Sequence, residues 1–165
     1  MASSQFLVVG SNGVNDGSTE YFPIAGKLEN ASTTEAISLY PFRDAWICNN
    51  LYTYASTNTN TGTSTVTLRL NATTNTALTV SYTSTQTGVK EDTSNTATIA
   101  NTDEATYIIV VPNTGPSTTL TLVVLGMQFV PNTTTNCAQL LVANGNVSGA
   151  TNTTRFSGVN GENRI

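Results

Sequence analysis

The chain has 165 residues and a formal net charge of −4, with charged side chains at only 10% and hydrophobic ones at 38%. Histidine is absent, and the six basic residues (Lys27, Arg43, Arg69, Lys90, Arg155 and Arg164) are scattered along the sequence. That removes the commonest general base and the commonest metal ligand, and it leaves no basic cluster to hold a phosphate backbone, so nucleic acid is not an expected partner.

Thr, Asn and Ser together make up 65 of the 165 residues, a composition close to that of a disordered tract. Leu, Ile, Val and Phe nevertheless number 38. That is above the share of roughly 20% that marks disorder, and disorder also needs a high net charge. The sequence therefore predicts one folded domain, large enough to bury a core without metal or disulfide staples.

In chain order, Met1 to Gln5 carries no basic side chain, and residues 6–9 are too short an apolar run for a signal-peptide core. Residues 6–9 instead predict the first strand. Asn12 to Gly17 resembles the start of a calcium loop, but the motif asks for an acid or amide at Val14 and a glutamate at Pro23. A phosphate loop ending at Gly26 and Lys27 would need glycine at Tyr21. Residues 21–25 and 36–40 predict the next two strands.

Residues 46–54 follow. Strict alternation places Trp46, Cys48, Asn50, Tyr52 and Tyr54 on one face and Ile47 and Leu51 on the other. A face holding three aromatics beside a core-facing side fits a subunit interface, cover by loops, or a sugar-stacking platform.

The central segments alternate most clearly. Val66, Leu68 and Leu70 share one face against Thr65, Thr67 and Arg69, and Leu78, Val80 and Tyr82 repeat the pattern. Period two with branched Thr on the outer side is the signature of half-buried antiparallel strands. It predicts strands at 64–70, 77–82, 96–100, 106–111 and 118–129. Between the strands lie clusters of Asn, Gly and Ser at 11–17, 57–62, 73–75 and 113–117, as turns require.

Tyr107 to Val111 is continuously apolar and predicts a strand covered on both faces. From Leu120 to Phe129 the apolar parity shifts, which predicts a bulge near Gly126 or burial on both sides. The stretch 120–130 is interrupted by Thr121, Gly126 and Gln128, and about 20 apolar residues are needed to span a bilayer. No membrane is expected. Strands spaced 10 to 12 residues apart, with no helical stripe, predict an all-β antiparallel jelly-roll β-sandwich over residues 1–130. Residues 131–165 predict an extended C-terminal tail, either disordered or ordered against a neighbouring subunit through Leu140, Leu141 and Val142.

Chemistry is sparse. Glu91–Asp92 and Asp103–Glu104 are adjacent pairs whose side chains point to opposite faces on an extended strand, so each predicts a charged turn rather than an acid/base pair. Gly88 in Thr87-Gly88-Val89-Lys90 predicts a turn glycine. Cys48 and Cys137 have no histidine to activate them. They are expected as free thiols, with a single long-range disulfide as the alternative. Five Asn-X-Ser/Thr sequons match what chance gives for this Asn, Ser and Thr content. No catalytic, cofactor-binding or metal-binding residue is assigned, and no enzyme is expected.

The central block also resembles a family of small phage-associated jelly-roll proteins. The likeness rests on Val66-Thr67-Leu68-Arg69-Leu70-Asn71, Thr76-Ala77-Leu78-Thr79-Val80 and Thr87-Gly88-Val89-Lys90-Glu91-Asp92-Thr93. Asn95-Thr96, Asp103-Glu104 and Thr106-Tyr107-Ile108-Ile109-Val110 follow, and Tyr21-Phe22-Pro23-Ile24 and Tyr40-Pro41-Phe42-Arg43 match upstream. The segment departs at Lys90, where the family often has an aromatic. The resemblance spans residues 20–130 and implies a tumour-necrosis-factor-like or complement-like jelly roll, commonly a homotrimer. It implies a virion component, made in the host bacterial cytoplasm and placed on the capsid surface. There it would act as a decoration or cement protein that clamps the major capsid protein; the alternative is a tail-fibre or receptor- or carbohydrate-binding module.

Overall fold

The computed structural model of the chain describes residues 5–10, 13–15, 17–24, 26–27, 32–115, 117–132, 156–157 and 163–164. Among these, the strands are β1 (Gln5–Gly10), β2 (Gly13–Asn15), β3 (Thr19–Phe22), β4 (Gly26–Lys27), β5 (Tyr40–Pro41), β6 (Trp46–Asn58), β7 (Thr63–Leu70), β8 (Thr74–Thr83), β9 (Gly88–Ile99), β10 (Glu104–Val110), β11 (Thr119–Pro131), β12 (Phe156–Ser157) and β13 (Asn163–Arg164). The helical content of the described residues is one 3-10 turn, Glu35–Ile37, and no helix among them is long and apolar enough to cross a membrane.

One sheet runs β4-β1-β11-β6-β9 with β2 beside β11, and the other runs β3-β10-β7-β8 with β5 beside β10. Without the short β2, β4 and β5 and the separate β12–β13 pair, eight strands build the sandwich. They pair first with last (β1 and β11), second with seventh (β3 and β10), third with sixth (β6 and β9) and fourth with fifth (β7 and β8), all antiparallel. This nesting is one long hairpin rolled into two sheets, the jelly roll. The β6–β11 and β7–β10 ladders complete the two sheets.

The core lies between the sheets. Val66, Leu68, Leu78, Val80 and Tyr82 are buried from one side, against Leu51, Ala55, Leu120, Leu122, Leu125 and Met127 from the other. Each fully buried aliphatic side chain contributes about 1.5–3 kcal/mol. Trp46, Phe42 and Phe129 close one end: Phe42 stacks on Phe129 at 5.9 Å, and Trp46 meets Phe129 edge-on at 6.3 Å. On the outer side of β7 and β8, the Thr67 and Thr79 hydroxyls bond each other at 2.8 Å, a cross-strand pair of the kind that favours Thr on a pleated surface.

Several boundaries differ from expectation for local reasons. Of the strand expected at 36–40 only Tyr40 joins a strand, β5, and the residues before it lie in or just after the 3-10 turn Glu35–Ile37. Ser32 Oγ accepts the Thr34 N–H at 2.9 Å and Ser38 Oγ donates to Tyr21 O at 3.1 Å, so side chains take over the bonding of the backbone there. The strand expected at 21–25 stops at Phe22, next to Pro23, which has no N–H for a ladder. The strand expected at 96–100 begins much earlier, at Gly88.

In β10, Tyr107, Ile108 and Ile109 are buried as continuous apolarity predicted, but Val110 remains 38% exposed. The parity shift in β11 is absorbed where Val123 drops out of the ladder with β6, three residues before Gly126, and the register shifts again at the expected place, between Gly126 and Gln128. Of the expected tail 131–165, only Pro131, Asn132 and the β12–β13 pair fall within the described residues; Cys137 and the Leu140–Val142 anchor lie outside them.

Candidate functional site

The strand expected to carry the aromatic face is split in two by its backbone. Asn50 adopts φ +54°, a left-handed conformation that Asn tolerates better than most residues. The ladder shifts there on both sides: between Asn49 and Leu51 against β9, and between Gly126 and Gln128 of β11. One extra residue inverts the alternation. Trp46 and Cys48 therefore face the core, 2% and 0% exposed, and beyond the shift the core is reached by Leu51, Thr53 and Ala55. The expected set of five on one face is corrected accordingly. Tyr52 and Tyr54 stand on the outer face, and Trp46 does not join them.

That outer face has a simple layout. Val89, Tyr54 and Val124 lie in register across β9, β6 and β11, and the next row is Glu91, Tyr52 and Gly126. Val89 is 51% exposed, Tyr54 40% and Val123, the residue bulged from β11, 46%. Beyond Tyr52 come Thr96, Asn49 and Gln128, then Thr98, Ile47 and Val130. Near the shift, the Oδ1 atoms of Asn49 and Asn50 are buried without a hydrogen-bond partner, and such an acceptor costs about 1–3 kcal/mol when left unmet. The result is a nearly uncharged, partly aromatic strip beside two unmet acceptors.

Polar side chains join the sheets at the β8–β9 corner. Tyr82 of β8 is buried, with its hydroxyl 2.7 Å from Thr53 Oγ1 of β6 and donating to Gly88 O at 3.1 Å. Burial raises its pKa, and the Thr53 hydrogen bond offsets part of that. Asp92 of β9, 8% exposed, accepts the Thr79 N–H of β8 at 3.1 Å. It also accepts the N–H groups of Ser94 and Asn95, both at 3.1 Å. Burial works against its charge. Hydrogen bonds from the Asn95 side chain and from the Thr79, Asn95 and Ser94 amides outweigh it and hold the carboxyl below its ordinary value. Beside it is an open recess of about 310 Å³ lined by Thr79, Ser81, Lys90, Asp92 and Asn95, among others.

The other singled-out residues separate. Glu91 is exposed and Asp92 buried, so the pair does point to opposite faces, but it lies within β9 and not in the expected charged turn. Asp103 accepts from Ala100 N and Asn71 Nδ2, both at 2.8 Å, and organises a turn. Gly88, at φ +87°, is the expected turn glycine and opens β9. Cys48 is a free, buried thiol, and burial pushes its pKa far up, which leaves no reactive thiolate at neutral pH. Among the described residues no group of three His, Cys, Asp or Glu side chains could hold a metal ion.

Sequence reasoning missed Asp92 as a tie between sheets, and it missed Asn60. The available signals were an Asp two and three residues before Ser94 and Asn95, an Asx-turn spacing, and the Asn-Thr-Gly run at 60–62. Compared with known proteins, the chain matches no family model, no curated protein and no solved structure.

Proposed function

We propose that the protein is a non-enzymatic virion structural protein. In this reading it is a capsid decoration or cement protein of a tailed phage, which assembles as a homotrimer and clamps the major capsid protein at the capsid surface. The observation that carries the reading is the exposed apolar strip of Val89, Tyr54 and Val123 on the outer face, with half-buried Val124 in the same row. Exposed apolar surface with little charge is what a protein held between neighbours requires. A cyclic arrangement satisfies such a patch on every copy without open ends. Jelly rolls also serve as capsid domains, and the resemblance of residues 20–130 points the same way.

The test is co-sedimentation of purified protein with undecorated phage heads. Saturable occupancy together with raised resistance of the heads to heat is the expected result; failure to pellet with the heads would remove this reading. Tyr52 and Tyr54, adjacent outward positions of β6, favour one alternative, a carbohydrate- or receptor-binding module that stacks sugars on the rings. Glycan binding abolished by Tyr54→Ala, without any binding to heads, would select it.

A further inference from the structure

Among the described residues, two of the sandwich's four sheet edges lie side by side, for β9 ends one sheet and β8 the other. An edge strand offers unpaired N–H and C=O groups to any strand that approaches it. β8 is a pronounced case: Thr74–Thr83 reads TNTALTVSYT, without a charge, a proline or a glycine. Such a segment pairs readily with copies of itself, because no like charges meet when it does.

Asp92 occupies this edge with both carboxylate oxygens engaged. Oδ2 accepts the Thr79 N–H of β8 at 3.1 Å, and Oδ1 accepts the Ser94 and Asn95 N–H groups of its own strand at 3.1 Å. The Asn95 amide donates to both oxygens, at 3.2 and 3.0 Å. The same bonds take Thr93, Ser94 and Asn95 out of the β6 ladder, where Leu51 pairs with Asp92 and Asn49 with Thr96. Two oxygens accepting in two directions are best served by an ionised carboxylate. Protonation turns one oxygen into a donor and weakens it as an acceptor, and an amide replaces one oxygen with a donor nitrogen, so either weakens the bond to the Thr79 N–H or to the turn.

We propose that ionised Asp92 is a latch that closes β8 against β9, and that neutralising it frees the Thr79 edge of β8 to pair, antiparallel and about a two-fold axis, with β8 of a second copy of this chain. Lys90 and Glu91 flank the carboxylate on β9. The facing residues of β8, Thr79, Val80 and Ser81, carry no charge; β6 brings Leu51 opposite it; and the Tyr82 hydroxyl is turned toward Thr53. Because the folded carboxyl titrates below its ordinary value, the latch is closed at neutral pH. Its contribution is lost as pH falls through that lowered value. The proposal uses an edge rather than the outer sheet face and does not depend on the capsid reading.

The test compares Asp92→Asn with the wild type at pH 7, by amide hydrogen exchange and by light scattering across a concentration series. The Thr79 amide is expected to exchange at least tenfold faster in the variant. The Val80 amide, which alternation turns toward β7, keeps its protection, and the variant forms assemblies larger than the wild-type species. Unchanged Thr79 protection, or a freed Thr79 amide without added association, overturns the proposal. Should D92N fail to fold, the wild type is titrated into acid by NMR. The Asp92 carboxyl carbon and the Thr79 amide must then shift with one midpoint, and separate midpoints refute the latch.

Discussion

Asn50 decides which side chains this protein presents. Its left-handed backbone sends Trp46 to the core and Tyr54 to the surface on a single strand. A β-branched residue pays about 1–2 kcal/mol in that conformation, whereas glycine adopts it freely. Asn50→Val is therefore expected to lower stability by about that amount. Asn50→Gly, which also removes a buried acceptor without a partner, is expected to leave stability nearly unchanged. Denaturant midpoints of the two variants check this; equal losses in both would mean that the side chain, not the backbone, matters there. The double Asn at 49–50 was the only hint of the inversion. Alternation over 46–54 reads as regular because the aromatic residues fall on one parity, and nothing in a period-two pattern marks a φ angle.

At the scale of elements, the strands were legible and their ends were not. The central strands at 64–70 and 77–82 are legible from alternation, since Val66, Leu68, Leu78 and Val80 need one dry face. The loops that join them are set by side chains whose roles are invisible until distant segments meet. Asn60, fully buried, is the plainest case. Its Nδ2 donates to Pro112 O at 2.6 Å and to Thr118 Oγ1 at 3.4 Å, and its Oδ1 accepts the Gly62 N–H at 2.8 Å. One amide thus ties the β6–β7 loop to the β10–β11 loop. The approach is close: a Cβ on Gly62 would stand 2.8 Å from Pro112 Cγ and 2.9 Å from Thr114 Cγ2. Asn60→Ala orphans the Gly62 N–H and the Pro112 carbonyl, and is expected to cost about 2–4 kcal/mol in chemical denaturation. A loss below 0.5 kcal/mol, about the scatter of ordinary surface changes, would contradict this role.

For the whole molecule, composition and period two were enough for a β-sandwich. The order of its strands is a product of long-range pairing, in which the first strand meets the last and the fourth meets the fifth. That nesting leaves the β6 outer face open and places the β8 and β9 edges together, joined by Asp92. The central claim is that this uncovered face is where copies of the chain meet. Sedimentation equilibrium at micromolar concentration tests it, comparing the wild type with Tyr54→Glu/Val89→Glu, two exposed positions whose change leaves the core intact. The wild type is expected as a species of three times 17.3 kDa, about 52 kDa, which falls to the monomer mass in the double variant while far-ultraviolet circular dichroism is unchanged. A wild type sedimenting only as the 17.3 kDa chain, or a double variant that assembles as before, would contradict it.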